Sequence, residues 1–253
     1  MASASGSVAP STSDPLRNHL LAALPAEEWQ RWRPQLQAVD LRLGDVMVES
    51  GQAWSHVYFP TTAVVSLLRQ MEDGASAEIA GCGCEGVVGV SLFMGGESAT
   101  SRAVVQVAGQ AFRLPASVVR AEFGRSGPVL QLLLRYTQAL ITQMAQMAAC
   151  NRHHAVEQQL CRWLLLGMDR TGRCELLVTQ ERIAHFLGVR REGVTAAALS
   201  LQRGGVIRYS RGHITVLDRP RLLAHSCECY GVIRREYDRL LPPGPVAGDR
   251  AGP

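Results

Sequence analysis

Val178-Thr179-Gln180-Glu181-Arg182-Ile183-Ala184-His185-Phe186-Leu187-Gly188-Val189-Arg190-Arg191-Glu192-Gly193-Val194-Thr195 runs on to Leu201-Gln202-Arg203-Gly204-Gly205-Val206-Ile207. The stretch closes with Arg208-Tyr209-Ser210-Arg211-Gly212-His213-Ile214-Thr215-Val216-Leu217. Thr179 is a good N-cap for a helix over 180–187, because a threonine oxygen can accept from an orphan amide of the first turn. Ile183, Ala184 and Leu187 share the buried side, and Ala184 is small enough for a second helix to cross nearby. Gly188 supplies the turn, where a positive φ is cheapest without a Cβ. A second helix then starts near Arg190 or Arg191, buries Val194, Ala198 and Leu201, and ends at Gly204-Gly205. Residues 206–210 and 213–217 alternate as two strands around Arg211-Gly212. Two short helices at a tight turn followed by a hairpin form a winged helix-turn-helix, a fold that places its second helix in the DNA major groove.

The exposed start of that second helix carries Arg191, Glu192, Thr195 and Ala196. Arginine can bond guanine O6 and N7 together, and glutamate can accept from cytosine N4. Thr179, Gln180, Arg190, Arg208 and Arg211 complete the expected DNA-binding set, with Arg208 and Arg211 of the hairpin near phosphates. A solvated helical hairpin would explain an isolated Arg-Arg-Glu equally well. It does not explain cap, small residue, glycine turn, buried valine and hairpin in series.

Working outward, the chain has 253 residues, 47% of them apolar and 19% charged, enough for two small domains with real cores. All 26 basic residues are arginine; genomic base composition explains this more simply than function does. Residues 1–151 hold 10 arginines against 12 acids, and residues 152–241 hold 15 against 9. A basic C-terminal half suits a DNA module joined to a sensor or scaffold. Residues 1–14 have no basic residue and no apolar run, so they do not read as a signal peptide. No stretch offers the ~20 apolar residues of a membrane span. The expectation is a cytoplasmic protein with reduced cysteines.

Residues 1–14 and 242–253 read as polar or Pro/Gly-rich disordered tails. From 39 to about 119, apolar runs such as Val46–Val48, Val57–Phe59, Ala63–Leu68 and Val104–Val107 are punctuated by glycines, the texture of an antiparallel barrel or roll. Pro128 opens a helix to about Arg152. One stripe holds Leu130, Leu134, Thr137, Ile141, Met144 and Ala148, and an adjacent one Leu133, Tyr136, Leu140 and Met147. So wide an apolar face needs partners on two sides. One is the roll; the other is the same helix of a second subunit, or else the helix is buried in a single chain. On the dimer reading, Leu140→Glu with Met147→Glu gives monomers. Further helices are expected over 154–169 and 219–241.

From about Leu16 to Leu241 the chain resembles the Crp/Fnr family of bacterial transcription regulators, most specifically over 177–184 and 188–195. The resemblance implies an α+β architecture: a cyclic-nucleotide-binding-like, jelly-roll-like sensor β-roll (15–127), a dimerisation helix (128–152) and a winged helix-turn-helix DNA-binding domain (153–241). It implies double-stranded DNA, a second copy of the chain and RNA polymerase as partners, with no enzymatic activity. The family's base-reading Arg and Glu fall on Arg191 and Glu192, and its phosphate-contacting cap on Thr179. Arg190 replaces the serine often found at the recognition-helix cap. Ala196 replaces a second base-reading arginine, so the operator does not transfer.

In cyclic-nucleotide-binding members, a Gly-Glu-Leu segment followed by Arg-Ser-Ala or Arg-Thr-Ala builds the phosphate pocket. Here the matching stretches are Glu85-Gly86-Val87-Val88-Gly89 and Thr100-Ser101-Arg102-Ala103. Glu85 precedes its glycine and Arg102 is shifted by one, so a cyclic nucleotide is disfavoured. Gly86, Gly89, Ser101 and Arg102 remain a candidate pocket for another effector. Cys82-Gly83-Cys84 and Cys227-Glu228-Cys229 could supply four thiolates to an iron–sulfur cluster, but they fall in different domains. His153-His154 point about 100° apart and make a poor metal pair, better suited to a hinge or cap. No haem attachment motif exists. No metal site is therefore expected. A cupin-like enzyme would need histidines in the strand-rich stretch 39–119, where only His56 stands. A winged helix that docks protein instead of DNA fits the basic half poorly.

Overall fold

The computed structural model describes residues 14–125 and 127–242. The two expected tails fall, apart from Asp14 and Pro242, outside the described residues.

Asn18 starts the fold: its Oδ1 accepts from the amides of Leu20 and Leu21, while its Nδ2 donates to Pro60 O and Gly86 O. One buried amide thereby caps α1 (His19–Ala22) and ties it to the roll. Pro25 separates α1 from α2 (Ala26–Trp32), as expected.

The roll consists of β1 (Gln37–Leu41), β2 (Val46–Val48), β3 (His56–Pro60), β4 (Val64–Gln70), β5 (Ser76–Cys82), β6 (Arg102–Val107) and β7 (Gly109–Pro115). Its strands form two antiparallel sheets, ordered β1-β7-β3 and β2-β6-β4-β5. Each apolar run named from the sequence lies in or overlaps a strand. Gly109 permits the close passage of Thr62-Ala63, because a Cβ there would meet backbone at 2.6 Å.

α3 (Ala116–Phe123) leads to α4 (Pro128–His153), the long helix. Its Leu133, Tyr136, Leu140 and Met147 are buried within the chain. The Tyr136 hydroxyl donates to Val87 O at 3.1 Å, which pins this face to the roll. Leu134 and Ile141 are each half exposed.

The C-terminal half comprises α5 (Val156–Thr171), β8 (Glu175–Leu177), α6 (Gln180–Leu187), α7 (Arg191–Arg203), β9 (Ile207–Ser210), β10 (His213–Val216), α8 (Arg219–His225) and α9 (Glu228–Leu240). Two expected boundaries shift. His154 lies outside α5, in extended backbone, and the segment 219–241 breaks at Ser226-Cys227, which are also extended.

The halves share one apolar core. α9 packs along α4, covering a face the sequence left to the roll or to a second subunit. Arg170, from the end of α5, inserts its guanidinium between the halves. It donates to Glu85 Oε1 at 2.8 Å, to Gly81 O at 2.7 Å and to Gln143 Oε1 at 3.3 Å. Tyr237 of α9 donates to the same Gln143 oxygen at 2.9 Å. Such a buried, hydrogen-bonded charge is costly to break, since the loss of one partner strands the other. A second contact sets α6 on β5: Ser76 Oγ lies 2.9 Å from His185 Nδ1, and Gly188 sits over Ala77.

Candidate nucleic-acid interface

The local fold follows the residues closely. Thr179 Oγ1 accepts from the Arg182 amide at 3.3 Å and caps α6. Gly188 takes φ 66°, and the Val189 amide returns to Ala184 O at 3.0 Å, which closes the turn. Ile183, Ala184, Phe186 and Leu187 pack against Val194, Ala197, Ala198 and Leu201 of α7. Trp163 of α5 stacks on Phe186 with ring centroids 6.2 Å apart. This packing holds α7 with its N-terminus facing outward.

α7 begins at Arg191, with Arg190 at the cap position and no side-chain cap bond. Arg190, Arg191, Glu192 and Ala196 are all exposed. Thr195 is different: it is half buried, and its hydroxyl, within 2.7 Å of Gln180 Oε1 and 3.0 Å of Arg191 O, has one proton to donate between them. In this arrangement Thr195 and Gln180 bind α7 to the start of α6, a role their exposed helical positions did not suggest.

The hairpin pairs β9 with β10, and β8 adds a third strand. Arg211 and Gly212 form a two-residue turn with φ 50° and 82°. Positive φ at both positions matches the right-handed twist of the flanking strands. The Tyr209 hydroxyl donates to Val178 O at 3.1 Å and its amide to Gln202 Oε1 at 2.9 Å, fixing the hairpin beside both helices. A surface hollow of about 460 Å³ results, lined by Thr179, Gln180, Glu181, Arg191 and the 209–212 turn. Arg208 is exposed on β9. The hollow brings the cap of α6, the first residue of α7 and the hairpin tip into one concave surface.

The residues singled out in the roll are more dispersed. Gly86 is packed under Tyr136, whose ring would lie 2.5 Å from a Cβ there. Gly89 adopts φ 107° over Val57. Ser101 is buried, and Arg102 pairs with Glu49 at 3.2 Å. A cavity of about 510 Å³ opens instead between the roll and the C-terminal half, lined by His19, Cys84, Glu85, Asp169, Arg170, Arg234 and Tyr237 among others. None of Gly86, Gly89, Ser101 or Arg102 lines either hollow.

The two C-x-C pairs are not neighbours. Burial pushes the Cys84 thiol up to about 12 and raises Cys82 as well, so both are protonated at neutral pH. Cys227 and Cys229 gather instead with Cys150 and His154. The sequence does carry a signal for this group, Cys150-x-x-x-His154 followed by Cys227-x-Cys229. Pairing the adjacent histidines with each other, and one C-x-C with the other, concealed it.

The family model for the Crp-like helix-turn-helix domain matches residues 158–225. A putative Crp/Fnr-family regulator from Eubacterium rectale is similar in structure, with a TM-score of 0.64 at 18% identity over 81% of this chain and 96% of that one. FixK2 from Bradyrhizobium japonicum gives 0.63 at 18% identity, covering 76% and 98%. The c-di-GMP-responsive regulator CLP from Xanthomonas campestris gives 0.60 at 13%, covering 77% and 100%. A search of curated protein sequences finds no match.

Proposed function

We propose that this chain, which carries a Crp-like helix-turn-helix domain on the fold of the Crp/Fnr regulators, is a transcription regulator that binds an inverted-repeat operator as a homodimer. The observation that carries this reading is the outward-facing start of α7, where Arg191 and Glu192 stand exposed beside the hollow formed with Thr179 and Arg211. Arg191 and Glu192 read base edges, while Thr179, Arg190, Arg208 and Arg211 meet phosphates. Gln180 and Thr195 hold the two helices in register and flank the same groove. Two copies related by a two-fold axis place their α7 helices in successive major grooves, ~34 Å apart. The half-exposed Leu134 and Ile141 of α4 supply the seam between the copies. RNA polymerase is the partner through which such a regulator acts, and the cytoplasm is where it works. Among the described residues, no helix is long and apolar enough to cross a membrane.

The effector is a ligand other than cyclic AMP. One relative with this fold responds to c-di-GMP, so the fold by itself does not select one nucleotide. The Tyr136 ring against Gly86 favours a second reading, in which the ancestral pocket is closed and the regulator is constitutive or redox-responsive.

Recovery of DNA bound by the protein in cells, followed by binding titrations against random duplex, tests the assignment. Arg191→Ala is expected to reduce the preference for the recovered sites by roughly 10- to 100-fold, the ~1–3 kcal/mol of one bidentate base contact, while leaving the dimer intact. Unchanged preference in that variant overturns the base-reading role.

A further inference from the structure

Three thiols and one imidazole converge where α4 ends and α9 begins. Cys150 lies in the last turn of α4, His154 follows in the link to α5, Cys227 caps α9 and Cys229 is in its first turn. One ligand atom from each lies within 4.8 Å of every other. Cys150 Sγ and Cys227 Sγ are 3.5 Å apart, and Cys229 Sγ is 3.4 Å from His154 Nδ1. The three cysteines are buried and form their own cluster, apart from the main core.

From this geometry we propose that Cys150, His154, Cys227 and Cys229 form a closed tetrahedral zinc site that staples the start of α9 to the end of α4. Thiolates at about 2.3 Å and an imidazole nitrogen at about 2.0 Å from one ion lie about 3.5–3.8 Å from each other, close to the 3.5 Å of the Cys150–Cys227 pair and the 3.4 Å of the Cys229–His154 pair. An iron–sulfur cube needs one thiolate per iron and would hold them farther apart. All four corners come from the chain, which leaves no open position for substrate or water and makes the site structural.

The surroundings fit a metal better than a group of packed thiols. His154 Nε2 is 3.2 Å from Glu228 Oε2, so this carboxylate fixes the ring proton on Nε2 and turns the Nδ1 lone pair toward the sulfurs. Gln146 Nε2 donates to Cys229 Sγ at 3.1 Å, a bond that a metal-bound thiolate accepts strongly. Arg162 is fully buried, and none of its guanidinium nitrogens has a hydrogen-bond partner among the described residues. The same four residues flank the joint between the long helix and the DNA-binding half, so an occupied site fixes the orientation of α9 on α4.

The test uses the full chain, purified under nitrogen with any affinity tag removed, and elemental analysis for metals. About one zinc per chain is expected, and cobalt exchanged into the site should give the visible d–d bands of a tetrahedral thiolate complex. Cys229→Ser should lose stoichiometric zinc, while Cys82→Ser and Cys174→Ser should retain it. Should Cys229→Ser fail to fold, alkylation of the natural chain decides. Cys150, Cys227 and Cys229 should be protected until a chelator is added, whereas exposed Cys174 reacts throughout. The site is overturned if zinc is absent after titration with zinc salt or persists in Cys229→Ser. A Cys150–Cys227 disulfide in the anaerobic protein, or chelator-independent alkylation, would also overturn it.

Discussion

Glu78 shows how much a single side chain can load onto this fold. It is buried on β5, with the Ser66 hydroxyl donating to it at 2.6 Å. Burial raises its carboxyl above the ordinary 4.5, against the hydrogen bond from Ser66 and the charges of Arg170 and Arg162, which pull it down. A raised folded value means that stability present below 4.5 is lost as pH rises through that value, because the folded state must then hold a desolvated charge. Glu78→Gln cannot ionise. Its melting temperature is therefore expected to match the natural protein's in acid and exceed it increasingly toward neutral pH. A difference that is constant with pH, or reversed, would show that the buried carboxylate is stabilised by its surroundings. At this scale the sequence was readable where backbone chemistry is local: Thr179, Gly188 and Gly212 each do what their residue type suggests, whereas Arg211 takes a left-handed φ of 50° that is uncommon for arginine. It was unreadable where partners are distant. Nothing near Thr195 announces Gln180 as its partner, and the Cys150-x-x-x-His154 spacing does not by itself say that its partner Cys229 lies 75 residues further on.

Among the elements, α4 is the most instructive. Its apolar residues form two stripes, and their width correctly implies two partners. Periodicity cannot say which stripe meets which partner, and α9 settles the matter by covering part of α4 from within the same chain. Leu140 and Met147, expected at a subunit seam, are core residues here at 3% and 2% exposure. Glutamates at these positions would bury charge and disrupt folding, so they do not test dimerisation. Leu134 and Ile141, at 50% exposure each, lie seven residues apart on the open face, the spacing of a helical seam. Leu134→Glu with Ile141→Glu is expected to leave the circular-dichroism melt nearly unchanged while sedimentation shifts to the monomer. Affinity for a full operator should fall by about two orders of magnitude or more, as the linkage between half-sites is lost. A dimer that survives this double substitution places the seam elsewhere. The strands were legible wherever apolar runs lay between glycines. β1 and β7 were less so, because polar residues such as Gln37, Asp40, Gln110 and Arg113 interrupt their apolar runs.

For the molecule as a whole, the division into a roll, a long helix and a winged helix-turn-helix was legible from texture alone, because each part buries its apolar residues with a different period. What texture could not reveal is how firmly the parts are joined. The Arg170–Glu85 pair, the Gln143 node and the seating of α6 on β5 all link residues far apart in sequence. These contacts give the roll a physical hold on α6 and α7, the helices of the proposed DNA-binding surface. A ligand or metal that changes that hold changes the orientation of α7 only if it favours one orientation over another. Symmetric DNA recognition is the claim on which the functional reading rests, and hydroxyl-radical footprinting on fragments recovered from cells measures it directly. Two protected half-sites related by a dyad, with centres one helical turn or ~34 Å apart, are expected, together with binding that weakens steeply with salt. A single protected patch without symmetry, or protection no stronger than on random DNA, would contradict it.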